Sequence, residues 1–215
     1  MYKKKFFFIV FEGIEGSGKS YISKKLYKRI KSIGLPVVLT REPGGSIGAE
    51  KIRDLILKDY FYSNKINEFD KYTDTLLYLA ARNEHIKKKI IPAIKNKQIV
   101  ICDRYIDSTL AYQAYGKGVN KQLINSIHKH ILGKAKPDIT FLLTVKINKA
   151  MKRLKLRKKI NRYDKFSNKF YIKTQKAFVK IAKKNKKKYF IFDNSNDKSN
   201  IEDDIFRLVK SKLTK

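Results

Sequence analysis

The most chemically loaded stretch of this chain is Gly13-Ile14-Glu15-Gly16-Ser17-Gly18-Lys19-Ser20, a full match to the pattern G-x-x-x-x-G-K-[ST]. Glycines at these spacings let successive backbone N–H groups turn inward and cradle phosphate oxygens at a helix N-terminus. Lys19 then reaches the β- and γ-phosphates of a nucleoside triphosphate, and the Ser20 hydroxyl suits Mg²⁺. A chance glycine-rich turn would lack the flanks found here, an apolar strand-like run before it and a helical pattern after it. ATP or GTP binding is the expectation. Asp103 closes a second apolar run, where a carboxylate would face the same metal. A plain strand-end aspartate, paired with Arg104, is the other reading of that position.

These groups need a scaffold that gathers strand ends, and the chain alternates strand-like and helix-like stretches as an α/β fold with a mostly parallel sheet does. Phe6–Phe11 is an unbroken apolar run, as in a strand buried on both faces. Ile22, Leu26 and Ile30 recur every fourth residue, and Gly34-Leu35-Pro36 stops that helix. Val37–Thr40 is a second strand, and a helix carrying Ile52, Leu55 and Ile56 follows the Glu42–Gly45 loop. A further helix is expected from about Thr73 to Ile90, with Pro92 near its end. Further strands are expected at Ile99–Cys102, Ile139–Val145 and Tyr189–Phe192. Asn148 is a candidate N-cap, and Ser199-x-x-Glu202 a capping box opening a C-terminal helix. One domain spanning 1–215 is expected, with the basic stretch from Lys152 to Lys169 as a mobile, solvated insert.

Composition bounds the rest. With 42% hydrophobic and 33% charged residues, the 215-residue chain is globular rather than disordered. No apolar run approaches the roughly 20 residues of a membrane span. The N-terminal lysines and phenylalanines imitate a signal peptide only faintly, since the run ends at Glu12 without a small-residue cleavage site. Cys102 is the single cysteine, which excludes an internal disulfide or a paired-cysteine zinc site and reads as a small buried hydrophobe. A cytoplasmic setting is expected. His85, His128 and His130 have no ligand-like company and read as surface or packing residues. Net charge is +32; residues 146–188 hold 19 basic residues and one acidic residue, Asp164, which leaves +14 elsewhere. The excess is global and dominated by lysine, as compositional drift would produce, so a functional nucleic-acid partner is not expected.

Further segments fall into a known order: Thr40-Arg41-Glu42-Pro43-Gly44-Gly45, Tyr78-Leu79-Ala80-Ala81-Arg82, Asp103-Arg104-Tyr105-Ile106-Asp107-Ser108-Thr109-Leu110-Ala111-Tyr112-Gln113, Lys136-Pro137-Asp138, and Asn161-Arg162-Tyr163-Asp164. From about Phe8 to the C-terminal helix the chain resembles the bacterial type of thymidylate kinase, which makes dTDP from dTMP and ATP. That resemblance implies a P-loop nucleoside-monophosphate kinase fold: a five-stranded parallel sheet flanked by helices, with a basic lid at about 152–169. It places Glu15 at the acceptor sugar's 3′-hydroxyl, and Arg53 and Arg104 on the dTMP phosphate, beside the Glu42-Pro43 segment. Tyr78 matches a ring stacked on thymine, Arg82, Thr109 and Gln113 match polar contacts to the base, and Tyr112 matches a ring that excludes a ribose 2′-hydroxyl. On a helix, Tyr78 and Arg82 share a face.

The resemblance also explains the basic insert. Gly16 follows Glu15, so the phosphate loop supplies no arginine of its own. In the family's bacterial type a lid brings that charge, and Arg157 and Arg162 are the candidates, with Arg153 nearby. The family pattern Asp-Arg-x-Glu reads Asn161-Arg162-Tyr163-Asp164 here. Catalysis would combine Lys19, Arg104 and the lid arginines with ATP–Mg²⁺ bound through residues 13–20 and Asp103, without a general base. A homodimer is implied as well. A kinase for another nucleoside monophosphate or a nucleoside is the nearest alternative reading. A basic, ATP-switched nucleic-acid-binding protein is the more distant one.

Overall fold

In the computed structural model, which describes residues 7–57, 69–157, 163, 166–196 and 200–213, five parallel strands form one sheet. They are β1 (Phe8–Glu12), β2 (Val37–Arg41), β3 (Ile99–Asp103), β4 (Ile139–Thr144) and β5 (Tyr189–Asp193), in the order β2-β3-β1-β4-β5. β1 is buried along its whole length, as its unbroken apolar run requires. It runs to Glu12, one residue past the expected end, and Phe6 lies outside the described residues. The register sets Phe11 opposite Asp103 and opposite Phe141, so the chain leaves β1 and β3 at the same level. The crevice where the strand order reverses therefore lies beyond Glu12 and Asp103.

Alternate strand residues serve two cores. Ile9, Phe11, Ile101 and Phe141 pack with Ile22, Leu26 and Ile30 of α1 (Lys19–Ser32) and with Ile205 and Val209 of α9 (Ile201–Leu213). Phe8, Val10, Val100 and Cys102 face Ile86, Ile90 and Tyr105 on the other side. α1 ends as predicted, at Gly34 with φ +78, whose N–H bonds back to Lys31.

The remaining elements hold the second half of the crevice. α2 (Ile47–Leu57) packs on α3 (Lys71–His85), which Asp70 caps through the Tyr72 N–H. The helix does not stop before Pro92. A π-helical turn, Ile86–Ile90, leads directly into α4 (Ile91–Lys95), and this wider turn accommodates the proline ring and its missing donor. α5 (Ile106–Thr109) likewise runs on into a π-helical segment, Leu110–Gly116, before α6 (Lys121–Ile131). α7 (Ile147–Lys155) starts from Lys146, not Asn148; the Lys146 carbonyl accepts from Lys149 and Ala150, and Asn148 lies inside the first turn. The Ser199 half of the capping box lies outside the described residues.

The basic stretch is not simply a solvated insert. Lys152–Lys155 belong to α7, Tyr163 is buried, and α8 (Asn168–Lys183) begins within it at a Ser167 cap. Tyr163 and Phe166 stack edge to face at 5.1 Å and join Tyr112, Tyr171 and Phe178 in a third apolar cluster. Phe141 sits at the sheet's centre, fully buried, with its ring 5.3 Å from Phe11 and 6.1 Å from Phe192. Phe141→Ala should lower unfolding free energy by about 3–5 kcal/mol, read from the urea midpoint, because a rigid sheet core cannot collapse around the cavity.

Candidate functional site

The turn after β1 makes the donor half of the crevice. Gly16 has φ +73, and a Cβ there would lie 2.6 Å from the Ala150 carbonyl, so the loop is pressed against α7 with no room for a side chain. Arg153 locks this arrangement by donating to the Gly16 carbonyl at 3.0 Å and to the Asn194 carbonyl at 2.9 Å. Asn194 in turn donates to the Ser17 carbonyl at 2.8 Å. Ile14 is wholly buried, and α1 carries no acidic residue in its first turn, which leaves its N-terminus electropositive.

Lys19 folds back over the loop, its Nζ 2.7 Å from the Ile14 carbonyl and 3.3 Å from Ser17 Oγ. Burial pushes the ammonium down to about 7, and the neighbouring Arg104 charge adds to the shift. An anionic ligand would relieve both effects. Ser20 Oγ donates to Asp103 Oδ2, while Asp103 Oδ1 is buried with no hydrogen-bond partner among the described residues. Asp103 is therefore not the ion-pair partner of Arg104 that its sequence position also allowed. A serine hydroxyl and a carboxylate with an unsatisfied oxygen form a donor set suited to a hard divalent cation.

Arg104 instead pairs with Glu15 at 2.8 Å and donates to the Gly13 carbonyl at 2.9 Å and to Ser108 Oγ at 3.2 Å. Its guanidinium lies 5.3 Å from the centre of the Tyr112 ring, and the Tyr112 hydroxyl donates to the second Glu15 oxygen. Burial alone would raise the Glu15 carboxyl, but Arg104, Lys19 and Tyr112 outweigh it and hold the group below the ordinary carboxylate value. Phosphate loop, Glu15 and Arg104 thus form one electrostatic unit.

Beyond that unit opens a cleft of about 170 Å³, lined by Glu15, Lys19, Ser20, Asp103 and Arg104 at one end. Glu42, Pro43, Arg53, Tyr78, Arg82, Thr109, Tyr112 and Gln113 line the rest, so the residues assigned to the acceptor all meet in one place. Arg53 donates to the Pro43 carbonyl at 2.6 Å and so fixes the loop after β2. Gln113 lies 3.5 Å from buried Asp74, whose charge is balanced by Lys117 at 2.9 Å. Arg157 also lines the cleft; Arg162 lies outside the described residues.

Arg82 is more constrained than its sequence context suggests. It is 2% exposed and bonds Glu42 at 2.7 Å, Thr109 at 2.8 Å, His128 Nε2 at 2.7 Å and the Tyr105 carbonyl at 2.8 Å. Burial and the arginine charge drive His128 down to about 3, so it is neutral and accepts from the guanidinium. His85, also buried, bridges Glu42 at 3.0 Å and Thr40 at 2.7 Å. These two histidines are therefore packing residues with a polar task, whereas His130 is exposed. Tyr163 is the other residue that sequence reasoning passed over. Its hydroxyl accepts from Tyr78 at 2.6 Å, and its ring meets Tyr112 edge-on at 5.6 Å. A lone aromatic among the lysines from 152 to 165 was the available signal. Asn194 gave none, since its role depends on the β4–β5 pairing. Glu42→Ala strands the buried Arg82 charge and should cost about 3–5 kcal/mol in urea unfolding.

With this geometry in view, comparison with known proteins is decisive. The thymidylate kinase family model matches residues 11–205. A thymidylate kinase of Wolbachia pipientis subsp. Culex pipiens is 42% identical over 209 residues, 95% of this chain and 96% of that protein. One from Chlamydia caviae is 40% identical over 188 residues, 86% of this chain and 88% of that protein. The crystal structure of thymidylate kinase from Ehrlichia chaffeensis superimposes with a TM-score of 0.74 at 33% identity, covering 95% of this chain and 98% of that one. The P-loop, the Glu15–Arg104 unit and the cleft beyond them are accordingly those of a chain that belongs to the thymidylate kinase family.

Proposed function

We propose that this chain transfers the γ-phosphoryl group of ATP to dTMP, giving dTDP and ADP, with the residue roles that follow. The observation that carries the reading is the single cleft in which a phosphate loop abuts Glu15 and Arg104 and opens into an aromatic, polar-lined recess. ATP lies with its phosphates on residues 13–20, and Lys19 meets the β- and γ-phosphates. Ser20 and Asp103 would hold Mg²⁺, which when bound neutralises phosphate charge as it develops.

The dTMP phosphate docks on Arg104, with Arg53 beside the Glu42-Pro43 loop, because paired guanidinium donors suit an anionic oxygen pair. Glu15 takes the sugar 3′-hydroxyl, and Tyr112, directly above the Glu15–Arg104 pair, leaves no space for a 2′-hydroxyl. Tyr78 stacks on thymine, and Thr109 and Gln113 offer polar contacts to its edge. Arg82 has one N–H beyond the four engaged by the protein, and that donor is the one left for the base. A phosphate monoester is already an ionised nucleophile near neutral pH, so positioning and charge neutralisation suffice without a general base. Arg157 and Arg162 add positive charge from the lid. The working protein is a cytoplasmic homodimer, for which Tyr72 and Leu76 of α3 and Leu123 of α6 are exposed apolar side chains that a partner subunit would cover. Its high positive charge has no nucleic-acid role. Among the described residues no helix is long and apolar enough to cross a membrane.

The test is ADP release from ATP–Mg²⁺ in a coupled assay with dTMP, dUMP, UMP, CMP, AMP and GMP presented separately. Turnover with dTMP, weaker with dUMP and absent with the others, is the expected result. Salt-sensitive DNA binding by folded protein, without monophosphate turnover, would replace this reading with a nucleic-acid one. Lys19→Ala should lower kcat by roughly 10²-fold or more while leaving dTMP affinity largely intact by calorimetry. Asp103→Asn should raise the Mg²⁺ concentration for half-maximal rate by at least about tenfold, the loss already typical of changes one bond further from a metal.

A further inference from the structure

Glu12 is the last residue of β1, is 1% exposed, and has no part in the chemistry described so far. One of its carboxylate oxygens accepts the backbone N–H of Tyr105 at 2.8 Å and of Ser108 at 3.2 Å. The other accepts the Ser108 hydroxyl at 2.6 Å. Tyr105 opens α5 without any side-chain cap of its own, so a carboxylate on a different strand does the capping. Ser108 Oγ in turn accepts from Arg104, which closes a path of direct bonds from Glu12 to the guanidinium.

Arg104 needs such support. It has φ +73, a left-handed conformation that non-glycine residues adopt only where their surroundings over-determine it. The residue holding this turn from below is also the one that begins the phosphate loop, since Gly13 follows Glu12 directly. Movement of Glu12 would shift the donor loop and the acceptor arginine relative to each other. The neighbourhood tolerates a neutral group: burial, with Asp107 adding, pushes Glu12 up to about 7. Asp107 itself accepts from Tyr189 at 2.6 Å.

We propose that Glu12 is a positioning residue for the phosphoryl acceptor, fixing the Arg104 guanidinium through Ser108 and the backbone of the Tyr105–Ser108 turn. This rests on the assignment of Arg104 to the dTMP phosphate. Glu12→Ala should raise KM for dTMP at least about tenfold, the loss of one charge-assisted contact, with KM for ATP changed less than about twofold. In an Arg104→Ala background the same substitution should add less than about twofold, because both changes remove one interaction. Glu12→Gln keeps an acceptor for the two backbone N–H groups and should hold KM for dTMP within about threefold of the native value. Additive effects, or parallel rises in both KM values, would overturn the proposal.

A readout without turnover separates this inference from the reading beneath it. The Arg104 Nε–H resonance, identified by its loss in Arg104→Ala, should shift or broaden in Glu12→Ala and stay in place in Glu12→Gln. An unmoved resonance in folded Glu12→Ala sinks the proposal whatever the substrate is. A moved resonance in a protein that does not phosphorylate dTMP upholds the positioning role and sinks the acceptor assignment. Should Glu12→Ala not fold, Ser108→Ala cuts the path while sparing both backbone bonds and carries the same two readouts. An unmoved resonance and unchanged KM for dTMP in that variant would equally overturn the proposal.

Discussion

Parallel pairing of β1 with β3, with Phe11 opposite Asp103, is the constraint on which the rest of this molecule depends. It brings two chain exits to one level, so the phosphate loop and the Asp103-Arg104 turn emerge side by side. The backbone seals the arrangement where the Arg104 N–H meets the Phe11 carbonyl at 2.9 Å. From there every polar placement is local: Ser20 reaches Asp103 across one strand spacing, and Arg104 reaches Gly13 and Glu15 across the same gap. A slip of one residue would turn each of these side chains toward the opposite face.

Electrostatics then explains why the crevice is preorganised for anions. Lys19, Arg53 and Arg104 converge here, with Glu15 paired to Arg104 and Asp103 acting on Lys19, and burial disfavours positive charge that these carboxylates leave uncompensated. The cationic groups find partners within the site, in Glu15 and in carbonyls of the loop itself. On the proposed roles, incoming phosphate groups would replace those partners at sites whose dipoles are already in place.

Much of this was legible in the sequence because local patterns dictate it. The glycine spacing, the apolar run before it and the i, i+4 helix behind it defined the donor half, and all five strands were placed to within two residues. What escaped depended on contacts between distant segments. The Pro92 helix continues because a π-turn absorbs the proline, and α7 needs no Asn148 cap because the Lys146 carbonyl serves its first turn. Tyr163 reads as part of a lysine-rich loop until Tyr78 and Tyr112 are seen to enclose it. His85 and His128 look idle in one dimension because their partners lie more than forty residues away. Buried polar groups find partners through topology, which spacing alone does not encode.

The four-way tether of Arg82 has an evolutionary consequence. Glu42, Tyr105 with Thr109, and His128 come from three different segments, and each satisfies part of the same buried guanidinium. Altering the Arg82 end of the cleft, the end proposed to face the base, one residue at a time leaves at least one of these groups stranded in a low-dielectric interior. A lineage drifting toward another nucleobase would need several coordinated replacements, with unstable intermediates between them. On the proposed roles, the network thus acts as a ratchet on acceptor identity.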